Sequence, residues 1–146
     1  MDALANPYRV LGQASLVSTI RQTGTEVLMD PQRCYTHGIM GYYSTMRDAR
    51  GEYLIDEMGL CVENHKGDYK ELGNTLRHEA VHVAQECNGG PMLSVQELMP
   101  YASRRTLSAL EAYPAEHYHV ELEAWTMAEM ASNDDIEELL IAACSN

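Results

Sequence analysis

The chain is short and strongly acidic, with 146 residues, 10 Lys and Arg, 22 Asp and Glu, and a formal net charge of −12. This length predicts a single domain, 1–146, and the acidic balance argues against nucleic acid and anionic membrane surfaces as partners. Because there is no apolar run of about 18 residues and no signal-peptide pattern at the N-terminus, we expect a soluble cytoplasmic protein.

The first half of the chain combines one helix with short extended segments. Asn6 followed by Pro7 predicts the start of an amphipathic helix that ends before Gly24. Extended segments are predicted at 25–29, 38–46 and 52–62, the last two joined by a turn-rich connection that is typical of a hairpin.

Helices dominate the second half. Asp68 and Glu71 have the form of a capping box, and the apolar residues that follow recur at helical spacing up to a turn around Gly89. Further helices are predicted at about 94–99, 103–113, 115–131 and 134–143. The sequence therefore predicts an α+β domain with an N-terminal helix, a small antiparallel-rich sheet and a helical C-terminal half.

His78, Glu79 and His82 form an H-E-x-x-H sequence within the predicted long helix. Residues four apart lie on one face of a helix, so both imidazoles can reach one metal ion. The glutamate between them can accept a proton from a zinc-activated water, which is the chemistry of metal-assisted amide hydrolysis. The motif predicts a catalytic zinc site with two histidine ligands and Glu79 as general base.

A catalytic zinc site takes three protein ligands and keeps one position open, so a third ligand is expected from a second helix. Glu121 is the strongest candidate, because Ala124 and Ala128 share its face and let its helix approach the motif helix closely. Glu123 should point about 160° away from Glu121, into solvent. His117, four residues before Glu121, is an alternative ligand from the same face.

Two stretches of sequence carry a family resemblance. They are His78-Glu79-Ala80-Val81-His82 followed by Glu121-x-x-Ala124, and Gly41-x-Tyr43 before a strand ending in Cys61, with Cys87 shortly after the motif. Over roughly residues 38–130 the chain resembles the minimal gluzincin metallopeptidases and a family of mitochondrial metalloproteases. The resemblance implies a zincin-like fold with Zn²⁺ as cofactor, His78, His82 and Glu121 as ligands, and Glu79 as general base. The implied function is a zinc metallopeptidase that hydrolyses peptide or protein substrates.

Several parts of such a site stay open at the sequence level. The candidates for a hydrogen-bond donor to the transition state are Tyr113, His117, Tyr118 and His119. Either extended segment between residues 38 and 62 could be the sheet edge along which a peptide lies. No partner is identified for the second nitrogen of either histidine, because Trp125 stands where many gluzincins have Asp or Asn.

Two other interpretations compete with the peptidase. In a deformylase-like amidase, Cys34 would join the two histidines as a ligand. In a catalytically silent protein, the same fold would serve as a binding or structural component of an assembly, although a structural zinc needs no base such as Glu79 beside it. The four cysteines lack a C-x-x-C pair and are expected to be buried thiols, with Cys61 and Cys87 the pair best placed for a disulfide.

Overall fold

The computed structural model describes residues 13–145, so the helix start predicted at residues 6 and 7 lies outside the described residues. The helices are α1 (Gln13–Gln22), α2 (Gln32–His37), α3 (Tyr69–Asn88), α4 (Val95–Leu98), α5 (Arg104–Leu110), α6 (Tyr118–Met130) and α7 (Asn133–Cys144). The strands are β1 (Glu26–Met29), β2 (Gly41–Arg47) and β3 (Tyr53–Leu60). The predicted α+β class is confirmed. None of the helices in the described part of the chain combines the length and apolar character needed to cross a membrane.

The sheet is mixed, with the strand order β1-β3-β2. β2 and β3 form the predicted antiparallel hairpin with seven paired positions, whereas β1 runs parallel to β3 over four, so antiparallel pairing prevails but the sheet is mixed. α2 and β2 lie between the two parallel strands in the chain. β3 is the central strand of the sheet, with β1 on one side and β2 on the other. Among the described residues β2 pairs with β3 alone, so the other side of β2 is an open edge.

α3 is the central helix and carries the H-E-x-x-H motif. At its start Asp68 accepts a hydrogen bond from the Glu71 amide, and at its end Gly89 adopts a left-handed conformation with φ 80°, as the predicted caps require. α3 contacts α1, α6, α7 and the sheet. The buried apolar residues around it are Leu16, Ile20, Met58, Leu76, Ala80, Val83, Ala124, Ile136 and Leu140. The motif therefore lies on a helix that is held from several sides.

A glycine lets β2 approach α3 beside the motif. A Cβ atom placed on Gly41 would lie 2.8 Å from Thr75 Cγ2 and 3.5 Å from Glu79 Cγ. A larger residue would push the strand away from the helix, which is the usual reason for a glycine where two backbones come close. The start of β2 thus lies against the turn of α3 that carries Glu79.

The four cysteines form two disulfides, Cys34–Cys61 and Cys87–Cys144, with Cα–Cα distances of 5.5 and 5.0 Å. The prediction of free thiols is wrong, and so is the preferred pair Cys61–Cys87. Cys61, at the end of β3, instead meets Cys34 on α2, a helix that the sequence pattern does not predict. Cys87, on the last turn of α3, meets the end of α7. One disulfide therefore links the end of β3 to α2, and the other links the end of the motif helix α3 to α7.

Candidate metal centre

Two helices bring the three predicted ligands together. α3 supplies His78 and His82, whose rings lie 4.9 Å apart between centroids, and α6 supplies Glu121. His78 Nε2 lies 3.2 Å from Glu121 Oε1, and His82 Nε2 lies 3.2 Å from Glu121 Oε2. One ligand atom from each residue lies within 4.8 Å of the others. The two imidazoles thus face a single carboxylate across the gap between the helices.

The donor set fits a zinc ion. The side chains are largely buried, with 13% of His78, 17% of His82 and 13% of Glu121 exposed. Glu121 Oε1 is buried and accepts no hydrogen bond from the described residues, although His78 Nε2 is close. A buried carboxylate oxygen without a donor is costly, and a cation between the three side chains would remove that cost. Two imidazoles and one carboxylate are also the donors that catalytic zinc takes in many hydrolases.

The side chains of this centre shift one another's pKa values. Burial raises the pKa of Glu121, but its close contacts with His78 and His82 outweigh burial and lower that pKa to about 2. Burial lowers the pKa of His82, but its contact with Glu121 and the charges of Glu79 and Glu121 outweigh burial and raise that pKa to about 9. Burial raises the pKa of Glu79. In the absence of metal, the centre is therefore a tightly coupled group of acids and bases.

Two clefts meet at this centre. The His82 cleft has a volume of about 650 Å³ and is lined by Tyr43, Arg47, His82, Glu86, His117 and Glu121, among others. The Glu79 cleft has a volume of about 330 Å³ and is lined by Gly41, Thr75, His78, Glu79, Tyr113 and Trp125, among others. β2 borders both clefts. An extended segment lying along β2 would therefore pass over the imidazoles and beside Glu79.

The structure separates the four candidate donors into two pairs. Tyr118 contacts Met99 Sδ at 3.8 Å, and the His119 Nε2 atom lies 2.7 Å from the Leu93 carbonyl oxygen, so both take part in local packing. Tyr113 lines the Glu79 cleft, and burial raises its pKa. His117 is exposed and lines the His82 cleft. Tyr113 and His117 are the two that face the centre.

Glu123 contradicts its predicted position. It is fully buried rather than exposed, because the chain that follows α3 folds back over α6. Its carboxylate accepts hydrogen bonds from the backbone amides of Met92 and Leu93 and from the Gln85 side chain. These contacts occupy both carboxylate oxygens, and Glu123 is not among the residues that converge at the centre.

Sequence reasoning missed Gln85, the partner of His82. Gln85 Oε1 lies 2.8 Å from His82 Nδ1. The two residues are three apart on α3, a spacing at which side chains meet on a helix surface, so this spacing was the available signal. Cys34, the ligand required by the deformylase-like interpretation, is bonded to Cys61 and is not among the residues that converge at the centre, so it is not placed to serve as that ligand.

The comparisons with known proteins give a family but no activity. The model of one family, described as Domain of unknown function (DUF8637), matches residues 9–144. No curated protein and no solved structure matches the chain. The resemblance to gluzincin metallopeptidases stays a prediction.

Proposed function

The chain belongs to the DUF8637 family, and we propose, from the geometry of its candidate metal centre, that it is a zinc-dependent metallopeptidase. The main support for the proposal is that His78, His82 and Glu121 converge from two helices. Glu79, the next residue after His78 in the chain, lines the adjacent cleft. A site that only held a structural metal would need no carboxylate base at that position. The substrate class is a peptide or protein, and the fold is proposed to be zincin-like.

Zinc held by His78, His82 and Glu121 would supply the Lewis acidity that polarises an amide carbonyl and activates a water molecule. The chain's own residues do the rest. The Glu79 carboxylate takes the proton from the attacking water and delivers it to the leaving nitrogen. The Tyr113 hydroxyl, in the same cleft as Glu79, donates a hydrogen bond to the oxygen on which negative charge develops.

The open edge of β2 is the surface that would hold the substrate backbone. Of the two extended segments considered, β3 is paired on both sides, whereas β2 is paired on one side only among the described residues. Backbone N–H and C=O groups at such an edge can add a peptide as a further strand. Because β2 borders both clefts, side chains on either side of the cleaved bond would enter the His82 cleft and the Glu79 cleft.

The cellular compartment of the protein is also part of this proposal. The sequence analysis predicts a cytoplasmic location. Disulfides persist in oxidising compartments and are rare in the cytosol. The pairs Cys34–Cys61 and Cys87–Cys144 therefore favour an oxidising environment over the predicted location.

The test compares zinc content and peptide cleavage in wild type and three variants. Glu121→Ala should lose bound zinc, because it removes one of three ligands. Glu79→Gln should keep zinc but lose cleavage by roughly 10²–10⁴-fold, the usual contribution of a general base. Glu116→Ala is the matched control, since Glu116 is exposed and lies close to Glu121 in the chain.

Two results would contradict the proposal. If wild type binds no zinc, the site is not the metal centre proposed here. If zinc-loaded wild type cleaves nothing in a diverse peptide library and Glu79→Gln behaves identically, the protein is instead a catalytically silent component of an assembly.

A further inference from the structure

A chain of hydrogen bonds runs from His82 into the protein interior, away from the metal centre. His82 Nδ1 lies 2.8 Å from Gln85 Oε1. The Gln85 amide nitrogen then donates to the Val120 carbonyl at 2.9 Å and to Glu123 Oε1 at 3.0 Å. A histidine on α3 is therefore linked, through one glutamine, to a carboxylate on α6.

The partners of Gln85 fix which way its amide points. A carbonyl oxygen and a carboxylate oxygen can only accept hydrogen bonds, so the group facing Val120 and Glu123 must be the NH₂ end of the amide. The Oε1 atom then faces His82, and it too can only accept. His82 Nδ1 must therefore carry a hydrogen, which leaves Nε2, 3.2 Å from Glu121 Oε2, as the ring nitrogen that can bind a metal ion.

Glu123 is itself held rigidly. It is fully buried, and Met92 N donates to Oε1 at 3.1 Å and to Oε2 at 2.9 Å. Leu93 N donates to Oε2 at 2.7 Å. All of its partners, Gln85 included, are N–H donors, so both carboxylate oxygens act as hydrogen-bond acceptors. A buried carboxylate with this many donors cannot turn without breaking several of them.

We infer that Glu123, acting through Gln85, is a positioning residue that keeps His82 in the tautomer able to bind a metal through Nε2. The inference rests on the proposed zinc site and explains how a site with Trp125 in place of a hydrogen-bonding Asp or Asn orients a ligand histidine. Such partners fix the tautomer and the ring plane, and their loss typically weakens metal binding by about 10–100-fold. The same carboxylate also fastens the chain at Met92 and Leu93 over α6.

The experiment measures the dissociation constant for Zn²⁺ by competition with a chromophoric chelator. Gln85→Leu removes the acceptor of the His82 Nδ1 hydrogen at similar volume. Glu123→Gln keeps the shape of the side chain but places an NH₂ group among N–H donors, so the Gln85 amide can turn over and present the wrong group to His82. Glu129→Gln is the matched control, because Glu129 lies on α6 and accepts hydrogen bonds from Ser103 and Thr106, away from Gln85.

Both Gln85→Leu and Glu123→Gln should bind Zn²⁺ about 10–100-fold more weakly than wild type, and Glu129→Gln should bind it as wild type does. A second readout separates positioning from mere stability: in zinc-loaded protein with ¹⁵N-labelled histidine, the His82 Nδ1–H resonance should be sharp in wild type and should exchange with water in Gln85→Leu. Urea unfolding of each variant shows that it is folded under the conditions of the measurement.

The outcomes keep this inference apart from the proposed function. If wild type binds Zn²⁺ and Gln85→Leu binds it equally tightly with an unchanged resonance, the inference is overturned while the zinc site stands. If Glu123→Gln does not fold, the dissociation constant for Zn²⁺ and the His82 Nδ1–H resonance of Gln85→Leu test the inference. If wild type does not bind Zn²⁺, both are overturned.

Discussion

At the scale of single residues, two carboxylates on α6 show how the surroundings of a side chain decide its use. Glu121 has a buried oxygen that accepts no hydrogen bond from the described residues and faces two imidazoles. Glu123, two residues later, is buried more deeply, and both of its oxygens are occupied by N–H donors. Glu121 can therefore bind a cation, whereas the hydrogen bonds of Glu123 hold the chain at Met92 and Leu93 against α6.

Tyr113 is the residue whose role in cleavage is most directly testable. Tyr113→Phe removes only the hydroxyl that we expect to stabilise the transition state, so kcat should fall about 10²-fold with zinc content unchanged. Steady-state cleavage of a peptide substrate measures kcat and KM separately. Tyr118→Phe, whose hydroxyl contacts Met99 on another face, should leave kcat unaltered. If His117→Ala abolishes cleavage while Tyr113→Phe does not, the donor is His117.

Local spacing explains which site residues could be predicted. His78, Glu79 and His82 lie within a single helical turn, and the small residues on the Glu121 face indicate a close neighbour. Glu123 could not be placed, because its burial depends on Met92 and Leu93, which fold back over it from 30 residues away in the chain. Spacing along one helix says which face a residue occupies, but not what covers that face.

At the scale of elements, Glu86 joins the β2–β3 hairpin to α3. It accepts hydrogen bonds from Tyr53 at 2.7 Å and from Arg47 at 2.6 Å, and these contacts lower its pKa. The hairpin borders the His82 cleft through Arg47, so this link also fixes the open edge of β2 relative to the motif helix.

The link predicts a dependence of stability on pH. A carboxyl group whose pKa is lower in the folded state stabilises the fold above its ordinary value of 4.5, and this contribution is lost as the pH falls through the lowered value. The free energy of unfolding of wild type should therefore exceed that of Glu86→Gln at pH 7, and the gap should close in acid. Urea unfolding across this range measures the gap, with the exposed Glu52→Gln as control. A gap that widens in acid would contradict the assignment.

The elements themselves were predictable where their signals are local. The caps and apolar stripe of α3 and the hairpin of β2 and β3 follow from short-range patterns. The parallel pairing of β1 with β3 could not be predicted, because it joins strands separated by α2 and β2 and leaves no periodic signature in either. α2, only six residues long, lacks the repeat that identifies a helix.

At the scale of the whole molecule, the two disulfides close loops with sequence separations of 27 and 57 residues. Cross-links of this span restrict the unfolded chain and contribute about 3–4 kcal/mol each to stability. Cys34 and Cys61 are buried, whereas Cys87 is exposed. The Cys87–Cys144 pair is the more accessible to a reductant through Cys87, because exchange requires a thiolate to reach a sulfur atom.

We therefore expect stepwise reduction of the native protein. Mild dithiothreitol followed by alkylation and mass spectrometry should label Cys87 and Cys144 before Cys34 and Cys61. Urea unfolding of Cys87→Ala/Cys144→Ala should show a loss of about 4 kcal/mol. Free thiols in protein purified without reductant, or simultaneous opening of both pairs, would contradict this expectation.

The Cys87–Cys144 disulfide has a consequence if the proposed peptidase activity acts on a second copy of this chain. It encloses residues 88–143, which include Glu121 and the connection at residues 99–103 between α4 and α5, where Tyr101 is exposed. A single cut between Cys87 and Glu121 would separate the two histidines from Glu121 along the backbone, yet the fragments would stay joined through the disulfide. Such a nicked molecule would migrate as one band without reductant and as two with it, and its metal centre could survive the cut.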